Sequence, residues 1–446
     1  MSVSTTEQSI ARRLKSPLLR FAAYEPSSGM LLLAATVISL VWANTGLLPN
    51  YADFWGTEIA LRVGDWTLSL SLHDWIDDAL MALFFFHVSL EVKHEVVRGA
   101  LSSWETALMP AAAALGGMLL PALVYLAFNA QVGESSGWAV PMATDVAFAI
   151  ALLSLLGPRV PAGLRAFLLT LAVVDDIGTI GVIALFYSSD IATTPLLIAA
   201  AGLLLVLGMR GAGVRSFLPY WVLGAAIWLA MEKSGVHPTV AGVALGLLTP
   251  LSLPTHQQTQ RERAADRIPH LLRGQDTPTR EFQQALDTVR RGAFAPLDTL
   301  RFRLEPWVLY LIMPLFALAN AGVEISGVAL LMQDELAIFA GVGAGLILGK
   351  PLGIVACAWL AAWLLKARLP DGTGWLSLAG AAWLAGVGFT VALFLTSLAF
   401  ERPEAVAAAR LGVLAGSFAA AAIGLTLLWK VLPSPKPAAT SSRQHR

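Results

Sequence analysis

Charge is what this 446-residue chain has least of. Asp, Glu, Lys and Arg make up 13% of it, against roughly 25% in a soluble globular domain, so its surface cannot be mostly wet. The charges also cancel, with 30 basic and 30 acidic residues, and a zero balance gives no ground for a nucleic-acid partner. One cysteine, Cys357, sits in an apolar run. It excludes an internal disulfide and reads as a small buried apolar residue. The seven histidines form no cluster with cysteine at metal-ligand spacing, and oxygen ligands without one favour a hard cation over a transition metal. A cleavable signal pattern is missing as well. The first apolar run starts near Met30, behind a polar segment with Pro26 and Gly29, and reads as a retained span.

Apolar residues are abundant instead, at 56% of the chain. A helix crossing the hydrocarbon needs about 20 of them in succession. About twelve such stretches are centred in 29–48, 76–97, 107–129, 138–156, 163–187, 195–209, 217–233, 236–250, 306–322, 336–365, 375–400 and 405–430. The expected fold is an all-α polytopic membrane protein. Residues 1–28 and 431–446 form two tails, and 29–430 the transmembrane domain, with a long loop at 251–305. Twelve spans put both termini on one side. With that topology only Arg62, Lys233, Arg402 and Arg410 fall opposite the termini, while the long loop alone adds nine arginines on their side. The positive-inside bias therefore makes both termini cytoplasmic.

Between the first two spans, apolar and polar residues alternate on both sides of Gly64-Asp65. Period two about a Gly-Asp pair predicts a β-hairpin over 59–72. A lone hairpin is marginal in water, so it should lie on the membrane surface or pair with another chain.

Charged side chains inside the spans are few and clustered, and a charge at mid-membrane usually marks an ion pathway or relay. Asp77 and Asp78 open the second span, and Asp145 sits in the fourth. Asp175 and Asp176 occupy the middle of the fifth, and Lys350 lies in Gly-Lys-Pro-Leu-Gly353. Helix neighbours point about 100° apart, so the adjacent aspartates cannot grip one ion together. One can face an ion while the other meets Lys350, the intramembrane cation. Pro141 precedes Thr144 and Asp145 in the fourth span, and Gly386 and Gly388 interrupt the eleventh. Interrupted helices free carbonyls and amides that can replace water around a cation. The interruptions fall in the middle span of two three-span groups, 107–187 and 336–430, as an inverted repeat would place them. His87 and His237 read as satisfied helix residues.

These residues resemble the signatures of the NhaA sodium/proton antiporters. Those in question are Ala143-Thr-Asp-Val-Ala-Phe-Ala, Val174-Asp-Asp-Ile-Gly, Gly349-Lys-Pro-Leu-Gly and Gly386-Val-Gly-Phe-Thr. Asp78-Ala-Leu-Met-Ala, Leu90-Glu-Val-Lys, Gly235-Val-His and Pro314-Leu-Phe-Ala-Leu-Ala-Asn-Ala-Gly322 add to the match, which runs in order from about residue 20 to 430. Members of this family are among the standard examples of inverted-repeat architecture. The resemblance implies twelve spans, with the fourth and eleventh broken and crossing at mid-membrane. It implies electrogenic exchange of Na+ or Li+ for H+ across a bacterial inner membrane, serving pH and sodium homeostasis without a cofactor. Asp175 and Asp176 would bind the ion and carry protons, with Thr144 lining the site. Asp145 and Lys350 would offset the charges of the broken helix ends, Asp78 would line a funnel, and the hairpin would join a homodimer. Glu91, Lys93, His94 and Glu95, at the cytoplasmic end of the second span, are candidates for a pH response. Arg301 and Glu305 stand where family members often carry an acid and a histidine, and the loop before them is longer.

Two other readings compete. Intramembrane aspartyl proteases place their carboxylates on separate spans, often in Gly-x-Gly-Asp, and this chain has adjacent aspartates and no such motif. A sodium-coupled symporter of an organic solute would use the same cation chemistry without a proton flux.

Overall fold

The computed structural model describes residues 16–45, 50–63, 66–188, 191–212, 214, 217–251, 296–324 and 333–433. The hairpin turn at Gly64-Asp65, most of the long loop, and residues 1–15 and 434–446 of the two tails expected from the sequence lie outside them. Among the described residues, the regular structure is helical apart from one two-stranded antiparallel sheet. By contacts it groups into two compact units. The first combines Met1–Thr57, Ser103–Thr179 and Met313–Arg446, and the second Glu58–Ser102 and Ile180–Ile312.

The first unit contains α1 (Ser16–Asn44), α3 (Trp104–Asn129), α4 (Val146–Ser154) and most of α5 (Ala162–Phe186). It also holds α10 (Met313–Asn320), α11 (Gln333–Ala344), α12 (Lys350–Leu364), α13 (Trp375–Ala385), α14 (Phe389–Ala399) and α15 (Pro403–Val431). The second contains α2 (Met81–Arg98), α6 (Thr193–Gly211), α7 (Phe217–Glu232), α8 (Thr239–Leu248) and α9 (Pro296–Trp307). The strands β1 (Glu58–Val63) and β2 (Trp66–Ser71) belong to it too.

By length and apolarity, eight helices among the described residues are able to cross a membrane, or nine if the bent pair α13–α14 counts as one span. Helix also occupies the remaining windows expected from the sequence. α7 and α8 are apolar but short, and α2 is shortened as an apolar run by the charges between Glu91 and Arg98. Apolar side chains face outward while charged ones are internal: Leu185 is 78% exposed and Phe418 76%, whereas Asp145 and Lys350 are at 0%. That inversion is the signature of a protein whose solvent is lipid.

Both expected interruptions are present. The fourth span is a 3₁₀ stretch, Ser135–Met142, then three non-helical residues, then α4. Pro141 lies in the 3₁₀ stretch, where it cannot supply a backbone donor. The eleventh stops at Ala385 and resumes at Phe389, bent by 46°. The breaks touch: the Asp145 amide donates to the Val387 carbonyl at 2.8 Å.

Small residues set how closely the first unit packs. A Cβ on Gly116 would lie 2.1 Å from the Gly353 carbonyl oxygen, and one on Gly353 equally close to that of Gly116. α3 and α12 thus meet backbone to backbone, as helices in lipid do where both present small residues. Cys357 packs at the same crossing and is only partly buried. A π-turn, Gly345–Gly349, interrupts the span just before α12 and ends at Lys350; such bulges recur at functional sites.

Three boundaries differ from the sequence expectation. Helix α1 begins at Ser16, within the stretch assigned to the N-terminal tail, since Pro17 is well suited to a first helical turn. Residues 296–305, assigned to the long loop, form most of α9, whose first turn carries Pro296 and Asp298, both favourable at a helix N-terminus. The hairpin pairs Glu58 with Ser71 through Val63 with Trp66. Leu72 belongs to the next helical turn, where Ser71 and Asp74 form a capping box.

Candidate ion-binding site

Every intramembrane charge that the sequence singled out, except those of the second span, converges in the first unit. Asp145 is the N-cap of α4, and one of its oxygens accepts from the Phe148 amide at 2.9 Å. The other accepts from the Thr390 amide at 3.2 Å and the Thr390 hydroxyl at 2.6 Å. One carboxylate therefore meets the first turn of both resumed half-helices, α4 and α14, where unpaired amides concentrate positive partial charge. Both of its oxygens are committed to donors of the protein.

The opposite ends are met by a cation and a hydroxyl. Lys350 Nζ donates to the carbonyl of Met142, the last residue of the 3₁₀ stretch. Thr144 Oγ1 lies 2.9 Å from the carbonyl of Ala385, the last residue of α13. Both half-helix C-termini thus end on a donor.

Asp175 joins these two donors. Its Oδ2 accepts from Lys350 Nζ at 2.6 Å and from Thr144 Oγ1 at 2.6 Å. Its Oδ1 is buried and has no hydrogen-bond partner among the described residues. A buried carboxylate oxygen without a partner is costly, and it is where a cation or a proton would be stabilised. Asp176 is 6% exposed and acts electrostatically on Lys350. The sequence left open which aspartate meets Lys350; it is Asp175.

Phe389, the first residue of α14, has φ of 22°. A non-glycine residue in the left-handed region marks strain, and strain of this kind collects at functional sites. Its ring stacks on Phe148 at 5.4 Å, so the side chains beside the two interruptions are packed together. Sequence reasoning missed Thr390 as a ligand of Asp145. The signal was present, since a threonine follows the second glycine of the break as Thr144 follows Pro141.

The remaining candidates lie in the second unit. Asp78 is in a π-turn, Trp75–Leu80, with His237 Nε2 at 3.6 Å from its carboxylate. His237 Nδ1 pairs with the Thr239 hydroxyl at 2.9 Å, as expected of a satisfied helix residue. His87 differs: it is buried, and its Nε2 has no hydrogen-bond partner among the described residues. The four polar residues at the end of α2 do not form one cluster. Lys93 donates to the Leu247 and Thr249 carbonyls at 2.5 and 2.6 Å, holding the end of α8. Glu95 accepts from the Ala100 amide at 2.9 Å. His94 stands 3.6 Å from Glu95 and 4.0 Å from Asp298, and Arg98 pairs with Asp298 at 3.2 Å. Glu91 is a turn away, partly buried. Asp298 and Arg98 escaped the sequence reading because their closeness depends on α9 packing against α2.

Two helices interrupted at one place, their ends closed by a buried aspartate and lysine around further buried carboxylates, define a class: membrane transporters of small cations. The chain belongs to the NhaA family within that class. The family model described as Na+/H+ antiporter 1 matches residues 19–428. A protein of Myxococcus xanthus named Na(+)/H(+) antiporter NhaA 2 is 45% identical over 97% of this chain and 93% of its own length. The Na(+)/H(+) antiporter NhaA of Bordetella petrii is 43% identical over 94% of this chain and 91% of its own, and that of Oleidesulfovibrio alaskensis 42% over 95% and 96%.

The buried pair yields a stability prediction. Removing one partner of such a pair strands the other charge and costs about 3–5 kcal/mol. Lys350→Ala should lower the unfolding temperature in detergent, and adding Asp175→Asn should recover part of the loss. Strictly additive losses in the double variant would show that the two charges are not coupled.

Proposed function

We propose that the protein exchanges sodium, or lithium, for protons by letting the two occupy one carboxylate site in turn, with Asp175 and Asp176 as the exchanging groups and Thr144 at its edge. The observation that carries this is Asp175, with one oxygen held by Lys350 and Thr144 and the other without a partner. A cation arriving at the free oxygen competes with the Lys350 ammonium for the same carboxylate, and a proton does so equally. Competition of that kind produces exchange without further machinery, provided the site faces one side at a time. Asp145 and Lys350 keep the helix ends compensated throughout, so the interruption persists whichever ion is bound.

The exchange is electrogenic in this reading, more protons entering than sodium ions leaving, because two buried carboxylates are available to take protons and one sodium ion replaces them. The protein works as a secondary transporter in a bacterial inner membrane, serving pH and sodium homeostasis. It has twelve spans and cytoplasmic termini, and the two broken spans are the centres of an inverted three-helix repeat. What supports the repeat is the contact between the two breaks; what supports the topology is the one-sided distribution of Lys and Arg. Asp78 lines the extracytoplasmic approach. His94, near both Glu95 and Asp298, is the member of the α2 group best placed to modulate the pH response. Competition at the ion site supplies its main part. Family membership favours an exchanger over the solute symporter, and nothing further supports the latter.

The hairpin pairs two protomers. β1 and β2 form a sheet of only two strands, so each hairpin has unpaired edges that a second copy can satisfy. Removing residues 59–70 should give monomers that still transport; a dimer surviving the deletion would refute the assignment.

Two experiments address the site. In everted vesicles Asp176→Asn should abolish sodium-driven proton movement while the protein remains folded in the membrane, and substantial residual exchange would sink the assignment. Exchange measured between pH 6 and 9 should rise toward alkaline pH, since protons fill the site at acid pH. By mass action, a tenfold rise in sodium should lower the midpoint by about half a pH unit if two protons compete with one sodium ion, and by about one unit if a single proton does. A midpoint independent of sodium would move the pH response away from the ion site.

A further inference from the structure

The two ends of the first unit treat their cations differently. At one end each described cation is neutralised or bound. Arg402 pairs with Glu134 and lies 3.6 Å from Glu335, and Arg410 donates to Asn320 at 2.7 Å. The other end has Arg165, which reaches the Ser154 hydroxyl at 3.3 Å, and four further cations: Arg159 after α4, Lys366 and Arg368 after α12, and Lys430 in the last turn of α15. None of these four has an ion pair or a hydrogen-bonded acceptor among the described residues. The acids on adjoining elements, Glu105 and Asp371, are not paired with them either.

Packing places these segments together. Leu156, Val160, Leu164, Ala367, Leu369 and Leu432 belong to one apolar cluster. A Cβ on Gly163 would lie 2.4 Å from the Asp371 carbonyl oxygen, so the first turn of α5, four residues beyond Arg159, rests directly on the loop that follows Lys366. Tryptophans surround this end. The Arg159 guanidinium lies 4.3 Å from the centre of the Trp429 ring, which is 60% exposed. Trp359 and Trp363 stack at 6.1 Å on the last turns of α12, both exposed. Exposed tryptophans beside lysine and arginine mark the level of the lipid headgroups.

Lys366 adds an independent sign. It has φ of 54° and follows the end of α12, where the Ala367 amide bonds back to the Ala361 carbonyl. This is the helix-ending geometry that glycine normally fills because it carries no Cβ penalty. Here the strained position holds a cation with no partner among the described residues.

We propose that this rim binds the phosphate of an anionic phospholipid. Arg159 sits over the Trp429 ring and offers its N–H groups to the phosphate oxygens; Lys430 and Lys366 supply further charge, and the tryptophans seat the glycerol and upper acyl region. Arginine fixed by a ring is suited to phosphate, since its planar fork loses little freedom on binding. Under the proposed topology this is the cytoplasmic rim, but the assignment rests on the side chains alone.

The test uses the full chain purified in neutral detergent, with phosphatidylglycerol, phosphatidylcholine or inorganic phosphate as the probe and thermal unfolding as the readout. Phosphatidylglycerol should raise the midpoint, and the other two should leave it unmoved. The double substitution Arg159→Gln with Lys430→Gln should at least halve that shift. Lys366→Gly, which relieves the backbone, should unfold no earlier without lipid and also lose part of the shift, and it decides the matter alone should the double variant fail to fold. Equal shifts in wild type and variants, or an equal effect of phosphatidylcholine, would overturn the proposal. A shift reproduced by inorganic phosphate would reassign the rim to a free anion and overturn it as a lipid site.

Discussion

A helix that stops inside hydrocarbon leaves amides and carbonyls that water cannot reach, and each costs several kcal/mol if nothing answers it. This protein stops two helices at one place, and the rest of the site follows from how the four ends are closed. Asp145 takes the amide ends of α4 and α14, and Lys350 and Thr144 take the carbonyl ends at Met142 and Ala385. An anion and a cation fixed this way would be expensive singly. Together they leave a nearly neutral centre, within which the carboxylates of α5 are free to change partners.

The division of labour among the three central aspartates follows from the same accounting. Asp145 and Asp175 are both almost wholly buried, yet their environments are opposite. Both oxygens of Asp145 are held by amides and a hydroxyl, so ion exchange there would open two helix ends at once. Asp175 has one oxygen shared by two donors and another with none. In the proposed exchange, burial alone does not separate the structural carboxylate from the exchanging one; the number of committed lone pairs does.

Much of this was legible in the chain. Charges were so scarce in the apolar runs that Asp145, Asp175, Asp176 and Lys350 stood out unaided, and Pro141, Gly386 and Gly388 marked both breaks. The hairpin register followed from period two. Less legible were features that depend on three-dimensional neighbours. Thr390 is one apolar-run threonine among several until Asp145 is seen beside it. Lys93 read as part of a titrating cluster because its neighbours in sequence are charged, whereas its partners are two carbonyls at the end of α8. Helix starts at Ser16 and Pro296 were missed because both lie in polar stretches that hydropathy does not mark. The short helices α7 and α8 show the limit of hydropathy, which counts apolar residues and cannot tell a tilted or shared span from a partial one.

Thr144 stands within reach of two acceptors, the Asp175 carboxylate and the Ala385 carbonyl, but a hydroxyl has a single proton to give. While Asp175 is ionised, the stronger acceptor claims that proton, and the end of α13 keeps only a weak dipolar contact. Once Asp175 is protonated or shares its charge with a metal ion, the carboxylate loses its advantage, and the hydroxyl is free to rotate to the carbonyl. In the proposed exchange, the torsion of one side chain would thus carry the occupancy of the site to the end of a broken helix. Serine could substitute in this role; valine, equal in shape, has no bond to reorient.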